Sequence, residues 1–186
     1  MNLRSVSIAA AVVTLIAGAA GSPPSATAQD LPTYLGQYGY VGVPLTKLPT
    51  GHETVSVTIN GVEGRFVLDS GAGGTVVHSA SLDKFSLEVP EGEGVRSSGA
   101  GGEITLHRVP VASFQIDDLI LDIDEIHALD LSAVVALLSV AAESDIDGVI
   151  GQDVLTRFEG VLDARSQTLF LRPSAAAAAD PSPIRP

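Results

Sequence analysis

One acid in the chain stands where a carboxylate costs free energy to place. Asp69 follows directly on the apolar run Phe66-Val67-Leu68 and precedes Ser70, Gly71 and Ala72. A carboxylate at the end of a buried strand must be satisfied by hydrogen bonds. Ser70 offers a hydroxyl, and Gly71 lets the backbone turn tightly enough for an N–H to approach the acid. An Asp held in this way suits general acid/base chemistry. Asp-Ser/Thr-Gly is also an ordinary turn signal, met by chance about once in ten chains of this size, so its placement carries the reading. The three apolar residues put it at a strand end. About 80 residues later a second apolar pair, Val149-Ile150, runs into Gly151 and then into a short helical pattern.

Other chemistries find less support. The chain has 186 residues and no cysteine, which excludes disulfides, thiolate catalysis and cysteine-ligated metal sites. His52, His78, His107 and His127 form neither HxxH nor HExxH, so no metal is expected. Ser70 lies in no G-x-S-x-G elbow. Asp117, Asp118, Asp122, Asp124 and Glu125 lack the EF-hand spacing and read as a solvated face. Asp147 and Asp153, on either side of Gly151, read as turn or helix-start residues. A net charge of −12 argues against a nucleic-acid partner. No cofactor is implied.

The elements that must position Asp69 read as mainly β. Residues 53–60 alternate Val55, Val57 and Ile59 against Thr54, Ser56 and Thr58, the period of a half-buried strand, and Asn60-Gly61 is a strong turn signal. Phe66-Val67-Leu68 suits a fully buried strand. Residues 75–78, 103–109, 112–116 and the alternating stretch 119–126 are further strands. Residues 160–163 and 168–171 flank a hairpin connection. Short helices are expected over 79–85, 131–142 and 152–158, the second being the strongest.

Residues 1–28 carry the order of a secretory signal peptide: Arg4, the apolar run 8–20, then Ala26-Thr27-Ala28 as a cleavage site. The apolar run is short for a membrane span. The expectation is a periplasmic or secreted protein with no stable membrane insertion after cleavage. An extended arm over 29–45, a folded domain over 46–172 and a disordered Ala/Pro-rich tail over 173–186 complete the expected organisation.

Together these residues resemble the retropepsin-like aspartic proteases, in particular single-lobe bacterial members with a signal peptide. Leu68-Asp69-Ser70-Gly71-Ala72 matches the first element of the family pattern and Val149-Ile150-Gly151 the second. The resemblance implies a closed β-barrel with two or three short helices. It also implies hydrolysis of peptide bonds by water held between two Asp carboxylates that share one proton. The chain has a single Asp-Ser/Thr-Gly; Leu162-Asp163-Ala164-Arg165 lacks the hydroxyl and the Gly. The implied active form is therefore a twofold homodimer with one Asp69 from each subunit, the two loops braced by Ser70.

By the same resemblance Asp69, Ser70 and Gly71 are the catalytic motif. Ala72 and Gly151 border the substrate, and a flap over 94–106 closes on it through Gly99, Ala100, Gly101 and Gly102 at its tip. The implied partners are a peptide or protein substrate and a second copy of the chain. Gly73 departs from the pattern, which places Ser, Thr or Asp after the Ala. That departure and the acidic surface leave a second reading, a non-catalytic peptide-binding or assembly module on the same fold.

Overall fold

The computed structural model describes residues 30–92, 94–99 and 102–173. The expected signal peptide, the expected tail from Ser174, and Ala100 and Gly101 of the expected flap tip lie outside the described residues. In chain order the strands are β1 (Val41–Pro44), β2 (Thr46–Lys47), β3 (Glu53–Ile59), β4 (Val62–Leu68), β5 (Val76–His78), β6 (Val95–Gly99) and β7 (Gly102–Pro110). They continue with β8 (Phe114–Ile116), β9 (Leu119–Leu121), β10 (Glu125–Leu129), β11 (Gly148–Ile150), β12 (Val161–Asp163) and β13 (Thr168–Leu171). The helices are α1 (Leu31–Gly36), α2 (Ser132–Ala142) and α3 (Gln152–Arg157), and two single turns of 3₁₀ helix cover Ser79–Ser81 and Asp83–Phe85. The mainly β expectation holds.

The β3–β4 hairpin turns at Asn60 and Gly61, both with positive φ (52° and 80°), as Asn-Gly chemistry favours. The sheet then runs β6-β7-β10-β5-β11-β4-β3-β8-β9, with β2 on the edge of β3. This path is open among the described residues, where a closed barrel was expected. The stretch 119–126 divides into β9, which pairs with β8, and the start of β10, which pairs with β7 and β5. The Asp124 carbonyl accepts the Val111 N–H (2.9 Å), next to the β7–β10 ladder. β1, β13 and β12 form a separate three-stranded sheet.

Two apolar layers sandwich the strands that lead to Asp69. The main core joins Val55, Val57, Ile59, Phe66, Phe85, Phe114, Ile150 and Phe158 with Leu169 and Leu171 of β13. On the other face Val67 and Val149 pack with Val135 and Leu138 of α2, and with Leu48 and Ile146. β4 and β11 are thus covered on both faces at Phe66-Val67 and Val149-Ile150, which is why those stretches read as unbroken apolar runs. Burying an aliphatic side chain in such a layer is worth about 1.5–3 kcal/mol.

The expected extended arm is not extended throughout. Asp30 caps α1 by accepting the Thr33 N–H at 2.9 Å, and Pro32 sits in the first turn, where its missing N–H costs no bond. β1 then pairs antiparallel with β13, from Val41 opposite Leu171 to Pro44 opposite Thr168. Tyr40 donates to Glu159 (3.3 Å), and Arg172 pairs with the same carboxylate. Gly36, Gly39 and the two prolines hide this docked segment in the sequence.

Candidate active site

Asp69 leaves the sheet at the end of β4, side by side with β11. The two strands run parallel, with Leu68 opposite Ile150, and the Asp69 N–H donates to the Ile150 carbonyl at 3.0 Å. The chain then turns: the Ala72 N–H reaches back to the Asp69 carbonyl (3.1 Å), and the Gly71 N–H donates to Asp69 Oδ1 (2.8 Å). Gly71 therefore does what the motif predicts. Two details differ from the sequence reading. Asp69 and Ser70 are exposed in the single chain, because the strand ends at half-buried Leu68. The Ser70 hydroxyl makes no hydrogen bond to Asp69; it is the Ser70 carbonyl that is held, by Gln152 Nε2 at 2.7 Å.

Gly151 closes on this loop as predicted. The Gln152 N–H donates to the Ala72 carbonyl at 2.9 Å. A Cβ on Gly151 would stand 2.5 Å from the Gly74 carbonyl carbon and oxygen and 3.0 Å from the Ala72 oxygen, so only glycine permits this approach. Asp69, Ser70, Gly71, Ala72 and Gly151 are thus brought together. Gly99 and Gly102 face each other at the end of the β6–β7 hairpin, the expected flap. Among the described residues no hydrogen bond joins them to the Asp69 loop.

Sequence reasoning missed the group that holds the far side of the loop. Thr75 is fully buried. Its N–H donates to Asp153 Oδ2 (2.9 Å) and its hydroxyl to Asp153 Oδ1 (2.8 Å), while the Gly151 N–H donates to the Thr75 hydroxyl oxygen (3.1 Å). Asp153, read as a helix-start residue, is the clamp between α3 and the loop. Asp147, also read as a turn residue, is buried and accepts from the Arg65 N–H (3.0 Å), Ser81 (2.9 Å) and Lys84 (2.7 Å). Asp147 is buried whereas Asp153 is exposed, and the partners of both are too distant in sequence to name.

His78 fulfils its reading as a satisfied side chain: its Nδ1 accepts the Leu131 N–H at 3.1 Å, which leaves the ring proton on Nε2. Asp117, Asp118, Asp122, Asp124 and Glu125 are all exposed. Gly73 is exposed, and a Cβ there would meet nothing within 4 Å. Beside Ser70 lies a hollow of about 380 Å³ lined by Leu68, Gln152, Leu155, Leu162 and Leu169.

Among solved structures the chain is similar to a retropepsin-like aspartic protease from Rickettsia conorii, at 15% identity and a TM-score of 0.48, covering 73% of this chain and 91% of that one. It is also similar to the EIAV protease complexed with the inhibitor HBY-793, at 19% identity and a TM-score of 0.45, covering 60% and 92%. No curated protein matches the sequence. The sequence profile of a family described as aspartyl protease matches residues 55–154, which span Asp69, the β6–β7 hairpin and Gly151. The chain belongs to the aspartyl protease family.

Proposed function

We propose that the chain is an exported aspartic endopeptidase that works as a homodimer, periplasmic or secreted after loss of residues 1–28. The observation that carries this reading is the state of Asp69. One carboxylate oxygen is fixed by the Gly71 N–H, while Oδ2 makes no hydrogen bond among the described residues and the side chain is exposed. The chain offers this arrangement once, and the reaction needs it twice. In the dimer, water sits between the two Asp69 carboxylates. One carboxylate takes a proton from the water as its oxygen bonds to the scissile carbonyl carbon. The other, protonated, donates a hydrogen bond to the carbonyl oxygen and then its proton passes to the leaving nitrogen as the C–N bond breaks. Ser70 braces the paired loops, and Gly99, Ala100, Gly101 and Gly102 lie over the substrate. No cofactor takes part.

The test is proteolysis of an unfolded protein mixture by purified 29–186, beside Asp69→Asn, with sedimentation of both. Cleavage by the wild type alone, in a dimer, is the expected result. A wild type that folds and holds peptides without cutting them moves the reading to a peptide-binding module. Cleavage by both chains overturns the role of Asp69.

A further inference from the structure

Resting on the proposed active site, we infer that His127 selects the substrate: it favours a side chain carrying a hydrogen-bond acceptor, Gln or Glu, over an apolar one at a position two or three residues from the cleaved bond. The argument starts from spacing. Asp69 ends β4 and Gly74 precedes β5, with the end of β11 between them. Two inter-strand steps separate them, about 10 Å, which an extended peptide crosses in about three residues. A substrate cut at Asp69 and extended toward β5 therefore sets a side chain over Gly73 and Gly74.

That place is roomy, and His127 is a polar group beside it with no hydrogen bond among the described residues. A Cβ on Gly73 would touch nothing within 4 Å, and one on Gly74 would stand 3.8 Å from His127 Nδ1 and 3.9 Å from Asp153 Oδ2. β10 fixes which way His127 looks. Ile126 and Ala128 point into the main core, so His127 lies on the opposite face, where Leu129 packs beside Ala72 and Val76. Its neighbours in register are Val76 on β5 and Arg108 on β7.

The charged groups around it are occupied. Arg108 pairs with Glu125 at 3.4 Å. The Asp153 carboxylate accepts the Thr75 N–H, the Thr75 hydroxyl and the Val154 N–H. The half-buried His127 ring makes no hydrogen bond among the described residues, and it has no sealed, unsatisfied nitrogen. Nδ1 is the ring nitrogen nearest Gly74; in the tautomer that carries its proton there, the ring donates beside the apolar Ala72 and Val76 and selects a side chain with a methylene stem and an oxygen at its end.

The experiment profiles cleavage of a peptide mixture by the wild type, His127→Leu and His127→Gln. The wild type is expected to enrich Gln or Glu at one position near the cut by about tenfold, the size of one hydrogen bond. His127→Leu is expected to lose that enrichment, read as the ratio of Gln or Glu peptides to their apolar counterparts within one mixture, and His127→Gln to retain it. The same enrichment in His127→Leu, or none in the wild type, overturns the inference while the protease reading stands. If nothing is cleaved, the protease reading fails, and binding to the Asp69→Asn chain decides this one. A Gln peptide must shift the His127 ring resonances and its Leu counterpart must not; equal shifts, or none, overturn it.

Discussion

Leu-Asp stands at the ends of β4, β9, β10 and β12, and two of these acids, Asp69 and Asp163, have opposite fates. Asp163 is saturated. Its carboxylate accepts the Arg165 N–H (2.9 Å), the Ser166 N–H (3.3 Å) and the Ser166 hydroxyl (2.8 Å). The Ser166 hydroxyl above all, and then the two backbone N–H groups, hold its carboxyl below the ordinary value of 3.8. Asp69 takes one donor, from Gly71, and keeps an oxygen open. Both acids are accessible to water, so exposure does not separate them. The number of donors the following residues supply does: Ala-Arg-Ser closes a turn on the carboxylate, whereas Ser-Gly-Ala, pinned from behind by Gln152, leaves it usable.

The comparison breaks most sharply by exchanging each acid for its amide. Asp69→Asn is expected to reduce peptide cleavage at least about a hundredfold with its thermal midpoint unchanged, whereas Asp163→Asn keeps turnover and lowers only the midpoint. Equal loss of activity in the two variants would erase the distinction. Gly151→Ala attacks the support of one loop alone. Its Cβ collides with the Gly74 backbone, an overpacking worth about 1–3 kcal/mol in chemical denaturation, and activity should fall even in molecules that remain folded. Thr75→Val leaves Asp153 short of a donor and should cost about 1–3 kcal/mol, read by the same method. Finest is the titration of Asp163. Its folded value is lowered, so the stability it adds is present above pH 3.8 and is lost as pH falls through the folded value. Ser166→Ala should move the Asp163 carbon resonance midpoint up toward 3.8, with cleavage unaffected.

How much of this could be read beforehand follows from the range of each interaction. The Asn60-Gly61 hairpin was legible because its turn chemistry lies in two adjacent residues. The strand into Asp69 was legible because apolar layers on both faces write themselves as a continuous run. The α2 pattern gave its helix to within a residue. The residues 79–85 were legible as helical but resolve into two 3₁₀ turns, ended at Ser86 by a left-handed backbone. α1 was hidden because Pro32 and Gly36 resemble breakers until Asp30 is seen to cap the turn. The Thr75–Asp153 clamp was hidden because its members are 78 residues apart, and no local pattern tells one acid which hydroxyl it will hold. His127 had no motif at all; only the register of β10 against β5 places it beside Gly74.

The docking of β1 against β13 has a consequence for synthesis. The first strand of the domain finds its partner in the last one, so the three-stranded sheet cannot form on the ribosome until residues 168–171 have emerged. Phe170 and Leu171 complete buried layers against that early strand. Pairing across so much of the chain slows folding, and a nascent polypeptide lacking its final strand stays open over an unfinished core. The domain is built to mature late and all at once, rather than piece by piece as it is made.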